Sequence, residues 1–61
     1  MDQLYVIVTN SSSVVVGLDV YAGDSAAGLA QRQAQYPAFT FTTVDEATFN
    51  ATTYVGPSYF A

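Results

Sequence analysis

At 61 residues, with 51% apolar side chains, only 10% charged ones and a net charge of −4, the chain has too much hydrophobic content and too little charge for a disordered segment. It holds no Cys, no His and a single cation, Arg32. That excludes disulfide scaffolds, the usual zinc sites, thiol nucleophiles, imidazole bases and the electrostatic footprint of a nucleic-acid binder.

Leu4 to Thr9 is dense in β-branched and aromatic residues and reads as a first strand. Asn10 to Ser13 compete for backbone hydrogen bonds and form a polar turn. Val14 to Tyr21 read as the second strand of an antiparallel hairpin. Its even positions, Val14, Val16, Leu18 and Val20, are expected to face inward, with Gly17 and Asp19 on the other side.

Gly23-Asp24-Ser25 then ends the strand, and Asp24 or Ser25 is placed to cap a helix over residues 26–36. On a helical wheel Ala26, Leu29, Ala30, Ala34 and Tyr36 form its inner side, with Gln31, Arg32 and Gln35 outside. Pro37 stops it. Phe39 to Thr42 alternate as a third strand, and Thr43-Val44-Asp45-Glu46 match a capping box that opens a short helix or turn ending near Ala51.

These elements predict an α+β fold, β-β-α-β with a short C-terminal helix or turn. A crossover from the second strand to the third gives a mostly antiparallel sheet of order 2-1-3 packed by one helix. Residues 1–53 form the compact domain. Residues 54–61 form an apolar tail that docks on this chain or a neighbour, because a solvated tail has no use for Tyr59 and Phe60. The first strand is apolar on both sides, Leu4, Val6 and Val8 against Tyr5, Ile7 and Thr9. One helix covers only one of those sides, so the other needs the tail or a second chain.

Catalytic signals are weak. Asp19 with Asp24, and Asp45 with Glu46, are too scattered for an oxygen-ligand metal site. The spacing of Gly17, Gly23 and Gly28 lacks the Lys of a phosphate loop. Ser11 to Ser13 have no base to activate them, and so small a domain offers little room for a cleft of ~300 Å³. The expectation is no catalytic, cofactor-binding or metal residue.

Asn10-Ser11-Ser12 and Asn50-Ala51-Thr52 are chance matches to the glycosylation triplet. The acidic start lacks the charge pattern of a signal peptide, and no apolar run approaches the ~20 residues of a membrane span. The chain is therefore expected in the cytoplasm or incorporated in a virion.

A domain of this size buries only about 60% of its unfolded surface, and without disulfides or a metal the remaining stabiliser is association. Charge-poor, tyrosine-rich surfaces also suit interface centres. The reading is a non-enzymatic structural or assembly protein, a homo-oligomer or a component docked on a larger protein complex, such as a capsid decoration or appendage protein. Neither nucleic acid nor membrane is an expected partner. The alternative is a small acidic inhibitor or regulator that masks a protein partner. The candidate interface residues are Tyr5, Ile7, Tyr21, Tyr54, Tyr59 and Phe60.

Overall fold

Five elements follow one another: β1 (Gln3–Thr9), β2 (Val15–Ala22), α1 (Ser25–Gln35), β3 (Thr40–Val44) and α2 (Glu46–Ala51). The structure is a computed structural model that describes residues 3–23, 25–54, 58 and 59. The cap expected at Asp24 and the interface role expected of Phe60 lie outside the described residues. Both β2 and β3 pair antiparallel with β1, giving the sheet order β2-β1-β3 and the small α+β fold expected from the sequence.

The hairpin is closed by Asn10. Its Oδ1 accepts from the backbone N–H groups of Ser12 (2.9 Å) and Val14 (3.1 Å), while its own N–H donates to the Val14 carbonyl. Ser13 takes a left-handed conformation there, with φ of 62°, a geometry that the short local hydrogen bonds of such turns sustain. Val8 pairs with Gly17 and Thr9 with Val15, so Val16 is an extra residue, a β-bulge.

Register assigns each side chain to a side of the sheet. On one side stand Leu4, Val6 and Val8 of β1, Gly17, Asp19 and Tyr21 of β2, and Phe41 and Thr43 of β3. On the other stand Tyr5, Ile7 and Thr9, then Leu18 and Val20, then Thr40, Thr42 and Val44. Helix α1 covers the first side, with Gly28 lying against the Tyr21 ring. Helix α2 touches only a corner of the second, where Phe49 packs on Tyr5 with ring centroids 5.2 Å apart.

Three expectations are corrected. The face of β2 that meets α1 carries Gly17, Asp19 and Tyr21, not the apolar even positions; Val20 is 49% and Val14 46% exposed. Helix α1 is rotated from the expected wheel. Gly28, Leu29, Arg32 and Tyr36 are its half-buried positions, and Ala26, Ala30 and Ala34 are exposed. Arg32 turns inward because its guanidinium has a partner there, described below.

Finally, β3 runs to Val44, which pairs with Tyr5, so Thr43 stays in the ladder and cannot cap. The cap is Asp45, whose Oδ1 accepts from the Thr48 N–H at 2.8 Å. Asp is also the stronger capping residue, and Glu46 in the first turn suits the helix dipole.

The core that results is thin. Val6 and Val8 are the fully buried apolar side chains among the described residues.

Candidate functional site

The two sides of the sheet are finished differently. On the first, Tyr59 packs its ring directly over Gly17. A Cβ at position 17 would lie 2.6 Å from the ring carbons Cδ1 and Cε1, so only glycine admits the ring at this distance. Tyr36, Phe39 and Phe41 surround it, with centroids at 5.0, 5.6 and 5.6 Å. Tyr36 and Phe41 stand edge-to-face to it, at 84° and 89°, a favourable arrangement for aromatic quadrupoles. The backbone is fastened too, since Tyr59 N–H donates to the Val16 carbonyl at the bulge, 3.0 Å away.

The Tyr59 hydroxyl joins Asp19 of β2 to Arg32 of α1. It donates to Asp19 Oδ2 at 2.5 Å and accepts from Arg32 Nη1 at 3.4 Å. Tyr21 donates to the same Asp19 oxygen at 2.9 Å. Burial pushes the Tyr59 hydroxyl well above the ordinary tyrosine range, reinforced by its bond to Asp19 and the Asp19 charge. Tyr21 is raised for the same reasons, burial first. For Arg32, burial pulls downward but is outweighed by Tyr59, Tyr21 and Asp19, so its guanidinium is held more firmly protonated. The Arg32 guanidinium also lies 6.0 Å from the centroid of Tyr36.

Among the described residues the second side has no comparable cover beyond α2 at its corner. Val20 is exposed there and Tyr5, Ile7, Leu18 and Val44 are half-buried, an apolar, uncharged set flanked by Thr40 and Thr42. The only side-chain hydrogen bond on it is Tyr5 Oη donating to Gln3 Oε1, 2.8 Å, among the described residues. The even-numbered face of β2, the more apolar of its two, is thus the one turned away from α1.

The candidate interface residues divide between these sides. Tyr5 and Ile7 lie on the open face. Tyr21 and Tyr59 belong to the hydrogen-bonded network on the covered one. Tyr54 is 38% exposed and shares a 3.1 Å hydrogen bond with Ser58. The sequence reading did not single out Leu18, Val20 and Val44 as contact residues, or Gly17, Asp19, Phe39 and Phe41 as the seat of Tyr59. One signal for the seat was present: Gly17, Asp19 and Tyr21 alternate on a single strand face, an odd set to leave in solvent.

Beside the network, Tyr21, Gly28, Gln31, Arg32 and Gln35 line an open groove of about 350 Å³. The expectation that so small a domain offers little room for a cleft of this size is therefore corrected. Its lining brings together a guanidinium, two amides and a phenol, a set suited to hydrogen bonding and without a nucleophile–base pair. Among the described residues no three His, Cys, Asp or Glu side chains cluster as metal ligands, and no helix is long and apolar enough to cross a membrane. No family model, curated protein or solved structure matches the chain.

Proposed function

We propose that this protein is a non-enzymatic structural component that self-associates through the open side of its sheet. The observation that carries this reading is the placement of Tyr5, Ile7, Leu18, Val20 and Val44 on a side that α2 covers only at one corner. A protein that folds for itself alone gains by turning the more apolar face of β2 toward α1. Here that place goes to Gly17, Asp19 and Tyr21, and Val20 is left 49% exposed.

Size fits the reading. A standard interface takes about 800 Å² from each partner, roughly a fifth of the 3926 Å² surface, and one broad face of a molecule measuring 32 × 26 × 16 Å offers that much. The thin core points the same way, since burial that one chain cannot supply is supplied by the next. A small, charge-poor, Ser/Thr/Ala/Val/Tyr-rich subunit of this kind suits a virion, as a capsid decoration or appendage protein.

The test is the mass in solution of two single-charge variants measured by light scattering at micromolar concentration. Val20→Glu places a carboxylate on the β2 side of the open face, at a site exposed enough for the fold to tolerate it, and is expected to lower the mass of the oligomer. Ala27→Glu adds the same charge on the exposed side of α1 and is expected to leave the mass unchanged. Equal masses for wild type and Val20→Glu would refute the role of this face.

A further inference from the structure

The sheet ends in two edges, and they are not alike. The outer edge of β2 is blunted by the devices natural sheets use against pairing: a bulge at Val16, a carboxylate at Asp19, and the Tyr59 backbone seated on the Val16 carbonyl. The outer edge of β3, Thr40-Phe41-Thr42-Thr43-Val44, has none of these. It contains no Lys, Pro or acid, its register with β1 runs without a bulge, and no other backbone hydrogen bond reaches it among the described residues. Among the described residues nothing else pairs with its N–H and C=O groups on that side, the arrangement that invites a further strand.

We propose that β3 pairs antiparallel with β3 of a second copy of this chain, across a two-fold axis at Thr42, joining two sheets into one of six strands. The proposal rests on the assembly reading above and adds an edge contact distinct from the open face.

Three features select this occupant. Identical strands paired antiparallel form an isologous contact that closes on itself. The centred register sets Thr42 opposite Thr42, Phe41 opposite Thr43 and Thr40 opposite Val44, pairs of β-branched and aromatic residues that stabilise neighbouring strands. Finally, Asp45 and Glu46 follow directly on β3. In the antiparallel pair the two Asp45 residues stand about 20 Å apart at 3.4 Å per residue, beyond the screening length of ~8–10 Å. Parallel pairing would set the same charges side by side.

The absence of cysteine makes the test clean. Thr42→Cys puts one thiol on the axis, where paired Cα atoms about 4.5–5.5 Å apart fall within the range a disulfide spans. Ser12→Cys, in the exposed hairpin turn, is the control. Under mild oxidant at micromolar protein, Thr42→Cys is expected to form covalent dimers on the order of 100-fold faster than Ser12→Cys, because the paired thiols sit at millimolar effective concentration. Thr43→Lys, an edge charge of the protective kind on the exposed side chain that points away from the open face, is expected to lower the mass of the oligomer while leaving its circular dichroism unchanged. If wild type associates but the two cysteine variants oxidise at equal rates, the edge pairing is overturned and the assembly reading stands. If wild type is monomeric and the rates are equal, both fall.

Discussion

Asp19 and Tyr59 show how much of this fold depends on a few atoms. One carboxylate oxygen accepts from two tyrosine hydroxyls, 2.5 Å from Tyr59 and 2.9 Å from Tyr21, and the Tyr59 ring occupies space that only Gly17 leaves open. Removing the hydroxyl while keeping the ring isolates the polar part. Tyr59→Phe is expected to lose about 1–3 kcal/mol of stability at neutral pH, the worth of a hydrogen bond to a charged acceptor, measured by denaturant unfolding. The pH dependence carries a sign. Burial and Asp19 raise the Tyr59 pKa in the folded state, so the folded protein holds that proton more tightly than the unfolded chain. The associated stability is complete below about pH 10, the unfolded value, and is lost as the pH climbs above it. Between pH 9 and pH 11, roughly bracketing that value, wild type should therefore lose more stability than Tyr59→Phe. Parallel curves would contradict the network.

At the scale of the elements, α2 is too short to stand by its own propensity. It depends on its cap, Asp45 to Thr48 N–H, and on Phe49 against Tyr5. The hydrogen bond from Thr48 also draws the Asp45 pKa below its ordinary value. That contribution is present above the unfolded carboxylate value and disappears as the pH falls through the folded one. Asp45→Ala is expected to fray α2 and loosen Phe49 from Tyr5, seen as lost amide-exchange protection at Thr48 and Phe49. Thr43→Val, which keeps a β-branched residue in the strand, should leave that protection intact; the reverse order would restore Thr43 as the cap.

The elements themselves were legible because their signals are local. Examples are the β-branched run of β1, the Asn10 turn, Pro37 after α1, and the Thr-rich alternation of β3. The orientation of two elements was not. Counting apolar positions gave Val14, Val16, Leu18 and Val20 as the inward face, whereas a residue 40 positions from Asp19, Tyr59, decided the matter by claiming the Gly17-Asp19-Tyr21 face. The same contact drew Arg32 inward and rotated α1, and no wheel drawn from residues 26–36 contains that information.

For the whole molecule, the balance of covered and uncovered surface is the central fact. One side of the sheet is closed by α1 and the Tyr59 seat; the other carries Tyr5, Ile7, Leu18, Val20 and Val44 with, among the described residues, α2 at its corner. With Val6 and Val8 as the fully buried apolar side chains described, the isolated chain has little core to spare. The sequence already pointed to a two-faced β1 that one helix could not cover. It could not say which face would stay open, since that followed from the long-range seating of Tyr59. The most direct test of the account is the light-scattering mass of the wild-type protein across a dilution series through the micromolar range. The account predicts a mass at least twice 6.5 kDa that falls toward the monomer on dilution; a folded, stable protein of 6.5 kDa at every concentration would contradict it.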